Sequence, residues 1–170
     1  RLAISQPTLS RRIAEAGDAI VRIGRARATR YLARRAVRAQ HSFVLYQVDA
    51  SGQAAPWGEL IPVHPGFVWR ANNGVSNWSE GLPWCLQDMR PQGFLGRAWG
   101  RARASALALP EDVQDWSDEH VLIALAAGEA DAPGNLLIGQ ASLAAWRAHA
   151  PLSLSREQRA DHYPRLAAQV

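Results

Sequence analysis

Polar and basic side chains near the start of the chain have the types and spacing that a nucleic-acid-binding surface needs. A first group occupies one short segment: Ser5, Gln6, Thr8, Ser10, Arg11 and Arg12. A second group follows at short intervals: Arg22, Arg25, Arg27 and Arg30. Guanidinium groups neutralise backbone phosphates, and short polar side chains hydrogen-bond to base edges in the major groove. The two groups together predict a contact with double-stranded DNA.

Charge is distributed unevenly along the 170 residues. Residues 1–40 contain ten Arg and two acids, a net charge of +8, whereas residues 41–170 contain nine Arg and thirteen acids, a net charge of −4. This asymmetry favours a polyanionic partner for the first segment alone. The chain has no Lys, which excludes chemistry that needs a lysine of its own, such as a Schiff base or a phosphate-holding ammonium.

A capped helix is expected to position the first group. Ser5 is a good N-cap, Pro7 suits the first turn, and Gly17 ends the helix. The helix carries one apolar stripe, made of Leu9, Ile13 and Ala16. Exposed polar residues at the start of a short helix are typical of the recognition helix of a helix-turn-helix, with residues 2–4 as the preceding turn.

A basic hairpin is expected to position the second group. Residues 20–24 and 28–34 are predicted strands, and residues 24–27 form the bend between them. Arg34 and Arg35 are expected to project from this ribbon together with the second group. Such a wing binds phosphate without reading sequence. A solvated basic surface is the alternative, but the succession of turn, capped helix, glycine and basic hairpin favours a winged helix-turn-helix.

The remainder of the chain predicts a small antiparallel sheet with packed helices, so the fold class is α+β. The predicted strands are 43–48, 57–63 and 67–69, with 134–139 as a short strand or loop. The predicted helices are 82–89, 92–103, 118–127 with Ser117 as N-cap, and 142–150. The predicted domains are a partial winged helix-turn-helix at 1–38 and an α+β subdomain at 43–170, with a linker near 35–42.

No catalytic residue or metal site is predicted. A single cysteine, Cys85, precludes an internal disulfide and is expected to be buried. The five histidines lack the spacing of metal ligands. Gly93, Gly96 and Gly100 lack the strand and Lys of a phosphate loop and are expected to let a helix pack closely.

The expected location is cytoplasmic. No apolar run approaches the length of a membrane span, and no signal peptide is present. Because the chain begins with Arg1 rather than Met, and the helices expected before a recognition helix are absent, we expect it to be a fragment.

The segment SEGLPWCLQDMRPQGFLGR, residues 79–97, resembles the N-terminal subdomain of the HipA-like toxin kinases. It is most similar to the YjjJ branch, in which a winged helix precedes the HipA-type region. The resemblance extends from Ile4 through residues 20–31 and 43–63 to residues 134–139, and so spans nearly the whole chain. It implies a serine/threonine protein kinase of a type II toxin–antitoxin system, with an antitoxin as a protein partner. The family's catalytic residues lie beyond the matched region, so ATP and Mg are expected for the full-length parent and no cofactor for this fragment.

The leading interpretation is therefore the DNA-binding and regulatory portion of such a kinase. One alternative is a winged-helix transcriptional regulator with a non-catalytic effector or dimerisation domain. Another is a protein-interaction module that docks an antitoxin through some of its seven tryptophans, which predicts an exposed aromatic patch.

Overall fold

The computed structural model describes residues 5–128 and 134–148 of the chain. The seven strands are β1 (Ile20–Ile23), β2 (Arg30–Arg34), β3 (Phe43–Val48), β4 (Ala54–His64), β5 (Phe67–Ala71), β6 (Ser76–Ser79) and β7 (Leu136–Ile138). The helices are α1 (Gln6–Ala16), α2 (Trp84–Gln87), α3 (Gly93–Ala104), α4 (Asp118–Leu125) and α5 (Gly139–Ala148). All strand pairs are antiparallel. The predicted α+β class is confirmed.

Strand β4 organises the sheet because it pairs with three other strands. It pairs with β3 through residues 54–60 and with β5 through residues 58–62. Its end pairs with β2, where Ala33 faces His64 and Arg34 faces Val63. The other three strands extend the sheet from these partners: β1 pairs with β2, β6 with β5, and β7 with β3. The sheet is therefore larger than predicted, since strands from both ends of the described chain join it.

Neighbouring residues of β4 and β5 are buried on opposite faces, as the two-residue repeat of a strand requires. Leu60 and Phe67 belong to the main core, which also contains apolar residues of α2 and α4. Ile61 and Val68 belong to a second cluster. A third cluster forms where Leu143 of α5 packs on β3 and β7. Both faces of the sheet are thus covered in this region.

The second cluster ties the basic hairpin to the rest of the sheet. Its buried members are Val21, Ile23, Ile61, Val63 and Val68, and all are at most 8% exposed. Burying one such side chain contributes about 1.5–3 kcal/mol to stability. The hairpin therefore shares a core with β4 and β5.

The expected linker, residues 35–42, is joined to the fold at Arg35 and Val37, while its other residues are exposed. Val37 is buried in the main core, and its backbone exchanges two hydrogen bonds with Gln40. The Arg35 backbone N–H donates to Pro62 O at 3.1 Å. The division into domains at 1–38 and 43–170 stays a prediction, while strand pairing and a shared core connect the two segments.

Several element boundaries differ from the predicted ones. Strand β4 begins at Ala54 rather than at residue 57. Strand β6 was not predicted, because Trp78 is the single large apolar residue of Ser76–Ser79. Helix α2 is only Trp84–Gln87, shorter than the predicted 82–89, because Pro83 has the extended backbone of an N-cap. Helix α5 already begins at Gly139.

Other predicted boundaries agree with the structure. Ser5 caps α1 and Gly17 follows its last residue, while Ser117 caps α4. Helix α3 spans Gly93–Ala104, close to the predicted 92–103, and residues 136–138 form a strand. The predicted turn at residues 2–4 and the predicted helix end at 149–150 lie outside the described residues.

Candidate nucleic-acid interface

The β1–β2 hairpin presents its arginines on a rigid frame. Val21 and Ile23 point into the second cluster, so Arg22 between them lies on the opposite face and is exposed. Gly24 starts the turn with φ +75°, and a Cβ there would overlap the carbonyl oxygen of Ala28. This position therefore requires glycine, which fixes where the following arginines lie.

The other predicted wing arginines occupy two different environments. Arg25 and Arg27 are exposed in the turn that joins the two strands. The Arg30 guanidinium lies over the Trp78 ring, 5.5 Å from its centroid, and the Trp78 indole N–H donates to Pro65 O at 2.9 Å. A cation held over an aromatic face loses some freedom but keeps its charge. Arg30 is thus oriented by β6, whereas Arg25 and Arg27 extend into solvent from the turn.

An arginine-lined cleft of about 540 Å³ separates the β1–β2 hairpin from the β5–β6 hairpin. One wall consists of Arg22, Ile23, Gly24 and Arg25, and the other of Arg70, Asn73, Gly74, Val75 and Ser76. Arg70 also pairs with Glu59, with Arg70 Nη1 3.6 Å from Glu59 Oε2. The lining thus includes three arginines and two neutral polar residues, which are residue types suited to phosphate oxygens.

Arg34 and Arg35, expected to project from the hairpin, are instead half-buried. The Arg35 Nε donates to Val63 O at 2.8 Å, and its guanidinium pairs with Glu119 and lies over the Phe67 ring. Its contacts join the hairpin to β4 and α4. Arg35 is a structural residue, because its polar and aromatic contacts are all made within the fold.

Helix α1 carries the first group of predicted DNA-binding residues. Ser5 Oγ accepts from the Thr8 N–H at 3.4 Å and lies 2.9 Å from Thr8 Oγ1, so these two hydroxyls are engaged in capping the helix. Gln6, Ser10, Arg11 and Arg12 are exposed. The two arginines lie 3.6 and 3.8 Å from the Glu15 carboxylate, and pairs of this kind on a helix surface contribute little to stability.

The apolar stripe of α1 belongs to none of the three hydrophobic clusters of the described residues. Leu9 is 38% exposed, Ile13 and Ala16 are half-exposed, and α1 buries none of its residues. The helix contacts the one-turn 3-10 segment Gly17–Ala19 that follows it. The structure therefore confirms the predicted helix, while the helix-turn-helix arrangement stays a prediction.

Sequence reasoning missed Arg70, Asn73 and Ser76 as members of the site. Nothing in the local sequence indicates which hairpin lies opposite these residues. The register of β4 against β5 places Arg70 opposite Glu59, and the β2–β4 pairing brings the basic hairpin to the same end of the sheet. The cleft is therefore a product of tertiary structure.

A separate apolar surface lies near α2 and α3. Trp84, Phe94 and Leu95 are 74%, 78% and 79% exposed. Trp84 lines two cavities, of about 280 and 200 Å³, whose walls also include Trp57, Trp69 and Trp78. Trp116, by contrast, is buried and donates to Pro110 O at 2.8 Å. One tryptophan is thus strongly exposed, whereas the other described tryptophans pack into the fold.

The remaining residues considered for chemistry have structural surroundings. Cys85 is buried, and burial raises the pKa of its thiol. His120 completes the cap of α4, where its Nδ1 accepts from the Ser117 N–H at 3.2 Å. Gly100 is buried where a Cβ would overlap Val113, which confirms close packing of α3 at this glycine.

Neither a metal site nor a membrane helix is found in the described residues. Within 5–128 and 134–148, His, Cys, Asp and Glu form no group of three or more that could hold a metal ion. Over the same ranges, no helix combines the length and the apolar character needed to cross a membrane.

Comparison with known proteins gives two matches and one negative result. A family model described as "YjjJ-like toxin, middle domain" matches residues 39–147. The chain is 39% identical to "Toxin YjjJ" of Escherichia coli (strain K12) over 171 residues, which cover 99% of this chain and 38% of that relative. The chain therefore spans about two fifths of the length of the curated relative. No solved structure gives a significant match.

Proposed function

Because this chain belongs to the YjjJ-like toxin family, we propose that it is the DNA-binding and regulatory portion of a HipA-type serine/threonine kinase toxin. The observation that carries the DNA-binding part is the arginine-lined cleft with the exposed arginines beside it. Arg22 and Arg25 line the cleft, and Arg27 lies in the same turn. An open basic surface of this kind suits the backbone of a duplex, whose charge repeats at short intervals.

Helix α1 would supply contacts to base edges. Its exposed Gln6, Ser10, Arg11 and Arg12 include the side-chain types that read guanine and adenine in the major groove. The nearby Glu15 pairs are weak enough to be exchanged for phosphate or base contacts. In this proposal the helix confers sequence preference, while the hairpin confers salt-dependent affinity.

Fluorescence anisotropy with a labelled duplex tests the proposal. Affinity should fall steeply between about 50 and 200 mM salt, because cations condensed on the DNA are released on binding. An Arg25→Ala/Arg27→Ala variant should bind more weakly and show a salt slope shallower by about two phosphate contacts. An Arg97→Ala/Arg101→Ala variant removes the same charge from exposed positions of α3 and is the matched control. Absence of binding at low salt, or equal losses in the two variants, would refute DNA binding by the hairpin.

The kinase part of the proposal concerns the longer protein. Phosphoryl transfer needs a cation on the phosphates and acidic or amide ligands for Mg. This chain has no Lys, and its described residues form no acidic cluster that could hold a metal, so the residues present do not fit an ATP–Mg site. ATP and Mg would bind in the part of the family protein that this chain does not match. The full-length protein should transfer labelled phosphate from ATP to proteins of a cytoplasmic extract, whereas the 170-residue chain should not. Phosphate transfer by the 170-residue chain alone would contradict the proposal.

An antitoxin is the proposed protein partner, and the exposed apolar surface favours a protein contact near α2 and α3. Trp84, Phe94 and Leu95 are large apolar side chains that are each more than 70% exposed, and exposed apolar groups of this size are typical of interfaces. Co-purification of the full-length toxin with its antitoxin should be lost in a Trp84→Ala/Phe94→Ala variant. It should persist in a Val44→Ala/Tyr31→Ala variant, which removes exposed apolar groups elsewhere.

A further inference from the structure

We propose that the DNA-binding surface extends into the β5–β6 hairpin, with Arg70 as a phosphate-binding residue and Glu59 as the acid that limits its contribution. This inference rests on the proposed DNA-binding function and adds a residue from outside the basic segment. Residues 39–147, which include Arg70, match the middle domain of the family rather than a DNA-binding module. The proposal therefore gives this domain a direct part in recognition of duplex DNA.

Strand register directs Arg70 towards the basic hairpin. Arg70 pairs with Glu59 and Val68 with Ile61, so these four side chains lie on one face of β4 and β5. The β1–β2 hairpin covers the same face through Val21 and Ile23. Arg70 follows Val68 on this face, beyond the shared cluster, and lines the cleft opposite Arg22 and Arg25.

The rest of the cleft suits a phosphate rather than an apolar ligand. Asn73 and Ser76, which carry an amide and a hydroxyl, lie in the lining together with Arg22, Arg25 and Arg70. The Val75 N–H donates to Asn73 Oδ1 at 3.1 Å, which holds the β5–β6 turn in place. Arg22, Arg25, Asn73 and Gly74 are all exposed, so an extended polyanion can enter. A DNA backbone matches this combination of open shape and convergent positive charge.

Glu59 gives the proposal its sharpest test. The Arg70–Glu59 pair is 3.6 Å long, and the side chains are 40% and 34% exposed. A pair of this length and exposure is weak, so Arg70 can leave it for a phosphate. The carboxylate nevertheless repels an approaching polyanion and cancels one of the three positive charges that line the cleft. Removing this negative charge should therefore increase affinity for DNA.

Anisotropy with the 170-residue chain and a labelled duplex measures both residues. Arg70→Gln should weaken binding several-fold near 100 mM salt and reduce the salt slope by about one contact, while Arg70→Lys should keep most of the slope. Glu59→Gln should strengthen binding. Arg101→Gln and Glu111→Gln remove the same charges from exposed positions and should change affinity little. Circular dichroism establishes that each variant is folded.

The outcomes separate this inference from the proposed function. Salt-dependent binding by the wild type, with Arg70→Gln equal to Arg101→Gln, would overturn the role of Arg70 and leave DNA binding by the hairpin intact. No binding by the wild type at low salt would overturn the proposed function itself. If Arg70→Gln does not fold, Glu59→Gln tests the inference. A larger increase in DNA affinity than Glu111→Gln gives would support it, and no increase in affinity would refute it.

Discussion

Arg90 and Asp118 form a part-buried ion pair that joins the segment after α2 to the start of α4, across 28 residues of sequence. The second carboxylate oxygen of Asp118 accepts from the Leu82 N–H at 3.0 Å, and Arg90 also donates to Trp116 O at 2.8 Å. One aspartate thus holds both ends of the α2 region. The segment before α3 is anchored from here, and the first turn of α3 carries the exposed Phe94 and Leu95.

Asp118→Ala should lower the free energy of unfolding by about 1.5–3 kcal/mol, because it leaves the half-buried Arg90 and the Leu82 N–H without their acceptor. Urea denaturation followed by tryptophan fluorescence measures the change. Asp115→Ala, at an exposed position, is the matched control. Equal stability of the two variants would mean that the ion pair contributes nothing.

Gly100→Ala should destabilise the protein by about 1–3 kcal/mol, because the added methyl group would overlap Val113 Cγ1. The double variant Gly100→Ala/Val113→Ala removes the overlap and should lose less stability than the two single variants summed. Thermal or urea denaturation of the four proteins in this cycle provides the measurement. If the stability losses of the two single variants add up to that of the double variant, α3 moves away from Val113 instead of being strained.

Ile23→Ala should lower the free energy of unfolding by about 2–4 kcal/mol, because it opens a cavity in the cluster that the basic hairpin shares with β4 and β5. Hydrogen exchange should accelerate at the Val68 amide of β5 as well as in β1, because one cluster serves both strands. Val44→Ala, at a more exposed site, is the control. Unchanged protection of β5 would indicate that the hairpin packs independently.

Cys85 should react slowly with thiol reagents in the native state. Burial raises the pKa of its thiol above the ordinary value of about 8.5. At neutral pH, Cys85 therefore has a smaller fraction of reactive thiolate than an exposed cysteine has. Because this pKa is higher in the folded state, the contribution of the thiol to the free energy of unfolding is fully present below the unfolded-state pKa. It is lost as the pH rises through the folded-state pKa. Reaction with an aromatic disulfide reagent should accelerate on addition of urea; a native rate equal to the unfolded rate would contradict burial.

Helix ends were predictable because they depend on short-range hydrogen bonding. Ser5 and Ser117 accept backbone N–H groups three residues further on, and Gly17 has the positive φ that ends α1. These contacts involve residues close in sequence, so their types are sufficient to locate them.

The cleft was not predictable, because it depends on pairing between distant strands. β3 and β4 shift register where Leu45 faces Gly58 and Tyr46 faces Pro56, which leaves Trp57 as an extra residue. No local signal marks this bulge. The same limit applies to Arg70: the predicted strand 67–69 ended one residue before it, and the proximity of Arg22 depends on the β2–β4 pairing.

The pairing of β2 with the end of β4 has a consequence for how the molecule may be divided. The family match begins at residue 39, after the hairpin. A protein cut at that boundary would leave the backbone of Val63 and His64 without its β2 partner and would uncover Ile61 and Val68. An open strand edge beside newly exposed aliphatic side chains promotes self-association. The basic hairpin therefore also acts as a cover that keeps the sheet of the middle domain from aggregating.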